Sequence, residues 1–87
     1  MSNYVYMLLS KHKDNYYTYV GYSKNPSKRV ILHNTSKGAK STRGKHWFII
    51  YKKKYINKSL ALKAEYKLKK NKVKRNKIKL DFINKCK

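Results

Sequence analysis

Apolar and aromatic residues fall into short runs along this chain, and lysine dominates the stretches between them. The first run follows Asn3, reads YVYMLL through Leu9, and has the length and aromatic content of a buried strand. Its alternate positions form two faces, Tyr4, Tyr6, Leu8 and Val5, Met7, Leu9. Ser10 to Asn15 is polar and turn-like, with Asp14-Asn15 as punctuation. Tyr16 to Tyr22, YYTYVGY, predicts a second strand, antiparallel to the first because the connection is too short for a crossover. Gly21 weakens that strand, and marks a bulge or a close approach of some group to the backbone.

Asn25-Pro26 opens a helix, since Asn caps well and Pro favours the first helical position. That helix runs to about Asn34, with Val30 among its core contacts. Thr35 to Lys45 is a basic loop rich in glycine and small hydroxyl residues. His46 to Tyr55 supplies a third strand. Asn57 or Ser59 caps a second helix with Leu60, Ala61, Ala64 and Leu68 at helical spacing. A break at Asn71-Lys72 precedes a third helix, about Lys74 to Asn84, that buries Ile78, Phe82 and Ile83. The order β-β-α-β-α-α predicts one α+β domain over residues 1–87. Its sheet is small, three-stranded, largely antiparallel and flanked by helices.

Charge changes what such a domain is for. Twenty-four Lys or Arg against three acids leave +21, which repels itself unless a polyanion neutralises it. Nucleic acid is therefore the expected partner. A membrane surface is disfavoured, because the lysines are not gathered beside an apolar stripe. No apolar run approaches the roughly 20 residues a bilayer span needs, and the N-terminus lacks the pattern of a signal peptide. The single Cys86 excludes a disulfide framework and a multi-thiolate zinc site. A soluble, intracellular protein is expected. Lys, Asn, Ile and Tyr make up half the chain, and all four have codons built only from A and T. Part of the lysine count is then the bias of an AT-rich genome, and the minority residues are the informative ones. Arg occurs only at Arg29, Arg43 and Arg75, and Glu only at Glu65.

Three acids cannot supply paired carboxylates and a metal cage as well. Asp14 sits in a turn and Asp81 near the C-terminus, which leaves Glu65, close to the buried stripe of the second helix. The bland reading of Glu65 is a surface residue paired with Lys69, four positions on. Tyr6 and Tyr19 read blandly as cross-strand aromatic packing. Arg29 and His33, four apart, read as a solvated basic helix face. His12 and His46 lack metal-like spacing.

In order, however, these residues resemble the GIY-YIG nuclease family over residues 4–68. Tyr4-Val5-Tyr6 stands where the first signature falls, keeping its final Tyr, and Tyr19-Val20-Gly21 is similar to the second. N-P-S-K-R-V-I-L-H-N, Asn25 to Asn34, looks like the family helix with its catalytic Arg29 and, in one branch, a following His33. G-A-K-S-T-R-G, Gly38 to Gly44, resembles the loop of the small stand-alone members, and S-L-A-L-K-A-E-Y, Ser59 to Tyr66, holds the helix Glu, Glu65. The likeness is greatest to small bacterial members and to the catalytic subunit of the eukaryotic branched-DNA structure-specific endonuclease. Tyr4 and Val5 depart from the Gly and Ile of the first signature, and the twelve residues between Tyr6 and Tyr19 are more than is usual. No cysteine-rich zinc domain like that of the eukaryotic subunit is expected.

The resemblance implies a metal-dependent DNA endonuclease that hydrolyses phosphodiester bonds in branched or otherwise structured DNA during repair or recombination. Glu65 would hold one divalent cation, Mg²⁺ or Mn²⁺, with waters and the substrate phosphate completing the octahedron. Arg29 would fork onto the phosphate, where Lys offers only a point charge. The general base is Tyr6 or His33, with Tyr19 orienting water; for Tyr6, nearby positive charge is expected to lower the pKa. Gly21 would let a phosphate or side chain approach closely, and Lys40 and Arg43 would grip the DNA backbone. A protein partner could supply specificity. The five catalytic candidates should converge on one concave face. The alternative is a non-catalytic basic nucleic-acid-binding protein, ribosome-associated or architectural, which leaves Glu65 without a role.

Overall fold

The structure is a computed structural model and describes residues 2–35 and 44–85. Lys40, Arg43 and Cys86 lie outside the described residues. Strands β1 (Asn3–His12), β2 (Asn15–Ser23) and β3 (Phe48–Tyr55) alternate with helices α1 (Pro26–Asn34), α2 (Lys58–Lys70) and α3 (Lys72–Lys85) in the expected order. The sheet is antiparallel, in the order β2-β1-β3. The fold is the expected small α+β arrangement.

Strand β1 is central and buried from Val5 to Ser10. Helices cover both of its faces, which is why it reads as a continuous apolar run rather than an alternation. Under α2 lie Val5, Met7 and Val20, packed against Ala61 and Leu68 of that helix. On the other face lie Tyr6, Leu8 and Trp47, packed with Tyr19, Val30 and Ile49. The β1–β2 connection is tighter than predicted. Pairing continues to His12 opposite Asn15, and Lys13 takes a left-handed φ of 57° to close the turn.

Asn25 caps α1 by accepting from the Lys28 N–H at 3.2 Å, and Asn57 caps α2 by accepting from Leu60 N–H at 2.9 Å. Strand β3 starts two residues later than predicted. The Asn34 side-chain amide donates to the Trp47 carbonyl and accepts from the Trp47 N–H. Those backbone groups thus go to the end of α1 instead of the sheet ladder. Helix α3 extends further than predicted, but buries less. Ile78, Phe82 and Ile83 are only half-buried, because α3 packs along the rim of the sheet. There Phe82 stacks on Phe48 at 6.0 Å between ring centroids. None of the described helices is long and apolar enough to cross a membrane.

One irregularity re-aims β3. Met7 pairs with Tyr51 but Leu8 pairs with Ile49, so Ile50 is an extra residue. Ile50 and Tyr51, though consecutive, both pack on the α2 side, while Ile49 turns towards α1.

Candidate active site

Three elements, β1, β2 and α1, converge on the α1 side of the sheet. Tyr6 in β1 pairs with Gly21 in β2, and Tyr19 lies two residues from Gly21 on the same face. Their rings meet diagonally at 6.4 Å. Arg29 and His33, one turn apart on α1, face the sheet from above. The His33 ring sits 4.8 Å from that of Tyr19 and 6.2 Å from that of Tyr6. His33 Nε2 is 3.1 Å from the Tyr6 hydroxyl oxygen, and both residues are fully buried.

Close packing at this point depends on Gly21. A Cβ there would stand 2.5 Å from the Tyr6 hydroxyl oxygen and 2.6 Å from its Cζ. The close approach that the glycine permits is therefore made by the Tyr6 side chain. Gly21 itself adds no bulge, since β1 and β2 stay in register through it.

Burial raises the Tyr6 pKa above the usual tyrosine value. The Arg29 guanidinium opposes this by hydrogen bonding and by charge, and Tyr19 and Glu65 add to the rise. The expected lowering of Tyr6 is thus overturned in the protein by itself: loss of water around the hydroxyl outweighs the cation beside it. Burial also acts on His33, with the Arg29 charge second, and holds its pKa below the usual histidine value. His33 is therefore neutral near pH 7. The Arg29 Nε is buried without a hydrogen-bond partner, an unmet donor.

Glu65 stands on α2. Its charge is felt at the Tyr6 hydroxyl, and its side chain keeps 18% exposure. The pairing expected of an ordinary surface Glu is also present, with Lys69 Nζ 3.8 Å from Glu65 Oε2. Among the described residues no group of three or more His, Cys, Asp and Glu could hold a metal. A lone, partly exposed carboxylate suits a hard cation that keeps most of its waters and takes oxygens from substrate.

Two contributors escaped the sequence reading. Asn34 ties the end of α1 to Trp47, which packs against Tyr6 and so helps to bury it. Lys52 is the β3 residue directly opposite Tyr6. The Asn had a signal, its place just after His33; the Lys had none, because its position depends on the β1–β3 register.

Comparisons with known proteins identify the family. Residues 2–79 match the GIY-YIG catalytic domain, a nuclease domain. The chain is 44% identical over 68 residues to the UPF0213 protein of Oceanobacillus iheyensis, covering 77% of this chain and 76% of that one. It is 36% identical over 73 residues to the UPF0213 protein of Streptococcus pneumoniae, covering 83% and 73%. A relative from Staphylococcus epidermidis is 46% identical over 52 residues, covering 59% and 63%. No solved structure matches. With that domain matched over residues 2–79 and relatives alike over most of both chains, this chain belongs to the GIY-YIG catalytic domain family.

Proposed function

We propose that this protein is a divalent-metal-dependent DNA endonuclease that hydrolyses phosphodiester bonds in branched or otherwise structured DNA. The observation that carries this reading is the buried Tyr6–His33 pair beside the unmet Arg29 donor. A purely architectural protein has no use for either. A buried donor without an acceptor costs stability unless something arrives to fill it, and a substrate phosphate does so.

His33, kept neutral by burial, accepts the Tyr6 proton at Nε2. As water attacks phosphorus, its proton passes to the Tyr6 oxygen while the Tyr6 proton passes to His33. This relay removes the need for a lowered Tyr6 pKa, because the proton ends on the group whose pKa suits it. Tyr19, in contact with the His33 ring, holds that ring in place. Arg29 forks onto the non-bridging oxygens and stabilises their developing charge. Glu65 would hold the cation, which when bound supplies Lewis-acid stabilisation of the phosphate and the departing 3′ oxygen.

Preference for DNA shape over sequence follows from the charge. A surface of +21 binds backbone strongly and reads no bases, so selectivity rests on branch geometry and deformability. Repair or recombination is the setting in which such substrates arise. Linear, flap and four-way DNA, each incubated with EDTA, Mg²⁺ or Mn²⁺, test the reading. It requires metal-dependent cuts near branch points; equal cutting of linear duplex would remove the shape preference.

A further inference from the structure

Strand β3 carries the run Lys52-Lys53-Lys54, to which the mechanism above gives no task. Alternation splits the run between the two faces of the sheet. Lys52 lies opposite Tyr6 and Lys54 opposite Tyr4, whereas Lys53 lies opposite Val5. Tyr6 belongs to the cluster on the α1 side and Val5 to the core beneath α2. Lys52 and Lys54 therefore share the face of the candidate active site, and Lys53 stands on the other. The extra residue at Ile50 makes this possible. It lets Ile49 turn to α1 while the two lysines beyond it keep the same side.

Directly opposed residues hold their Cβ atoms about 4.5–5.5 Å apart, so Lys52 leaves the sheet beside Tyr6 itself. Its Nζ lies over the Tyr4 ring, 5.5 Å from the centroid. Tyr4 stands where the family signature has its Gly, and here an aromatic ring has a use that glycine could not serve. A cation rested on a ring has fewer conformations to lose on meeting a phosphate. Both lysines are exposed on an edge strand, open to a ligand as large as DNA. They are two residues apart, about 7 Å along the strand, which suits two successive backbone phosphates better than one.

Resting on the nuclease reading, we propose that Lys52 and Lys54 form a phosphate clamp that holds the DNA backbone next to the scissile bond, with Tyr4 positioning Lys52. Lys53, which rests on the Tyr55 ring on the far face, takes no part.

The test is binding of a fluorescein-labelled flap DNA, by anisotropy across a salt series, in a Glu65→Gln background so that cleavage does not intrude. Lys52→Gln and Lys54→Gln should each weaken binding by on the order of fivefold and lower the log–log salt slope by about 0.7 to 0.9. Lys53→Gln should change neither. Tyr4→Leu should reproduce part of the Lys52→Gln loss and add nothing to it, while Tyr4→Phe, which keeps the ring, should bind like its parent. Equal losses at Lys52, Lys53 and Lys54, or no loss at Lys52 and Lys54, overturn the clamp. If wild type cuts DNA and the lysine variants are silent, the clamp alone fails; if wild type never cuts and its Glu65→Gln form never binds, the nuclease reading fails with it.

Discussion

The hydroxyl of Tyr6 and Nε2 of His33 meet at 3.1 Å inside the protein, brought together from the central strand and the first helix. Neither side chain touches solvent in the structure by itself. If this pair relays the proton, Tyr6→Phe removes the relay and leaves the ring packing intact. Cleavage should then fall by roughly 10²- to 10⁴-fold, with DNA affinity in EDTA unchanged. Single-turnover cleavage and anisotropy, measured on the same preparation, check both halves.

The pH profile reports on His33. Its pKa is held below the usual histidine value of about 6.5 by burial and by the Arg29 charge, and the relay needs it neutral. The acid limb of kcat/KM, which reports the free enzyme, should therefore fall below 6.5, and a limb at or above that pH would contradict the relay. Stability should move in the same direction. Between the folded pKa of His33 and 6.5 the unfolded chain binds more protons, so stability drops as pH falls through that window. Urea midpoints at fixed ionic strength measure it.

Gly21→Ala tests the packing beneath Tyr6. The added methyl would meet the Tyr6 hydroxyl oxygen at 2.5 Å, and Tyr6 is enclosed, with no room to withdraw. A loss of about 1–3 kcal/mol in stability is expected from such overpacking. Cleavage should fall by more than stability alone explains, because the displaced hydroxyl leaves His33. Thermal melts and cleavage rates well below the melting temperature separate the two effects.

Asn34 joins the end of α1 to the start of β3 through both polar groups of its amide. Asn34→Ala leaves a buried Trp47 backbone poorly satisfied and should cost about 1–3 kcal/mol. Asn34→Asp keeps the acceptor for the Trp47 N–H and should lose less. Chemical denaturation of the three proteins decides this.

Much of the fold was legible because local signals agreed. Asn25-Pro26 and Asn57 announced their helices through capping chemistry, and the aromatic run after Asn3 announced a buried strand. Arg29 and His33 could be placed on one face by helical spacing alone. The effect of the Glu65 charge on Tyr6 was a different matter, since only resemblance connected residues so far apart in the chain. The rise in the Tyr6 pKa was misread for a physical reason. Net charge is visible in a sequence, but the burial that outweighs it comes from Trp47, Val30 and His33, distant in sequence. Helix α3 was given too much core because apolar spacing does not say whether a helix lies on a sheet or along its rim. The clamp lysines were invisible until the extra residue at Ile50 fixed which of them face Tyr6.

Glu65 carries the central claim, for it is the one Glu in a chain of net charge +21. Wild type and Glu65→Gln should be incubated with a labelled flap DNA in EDTA, Mg²⁺ and Mn²⁺, with binding measured in parallel. Wild type should cut only with metal, and Glu65→Gln should not cut at all while binding DNA as tightly or more tightly. Cleavage by wild type in EDTA, or undiminished cleavage by Glu65→Gln, would contradict a metal-dependent nuclease centred on this residue.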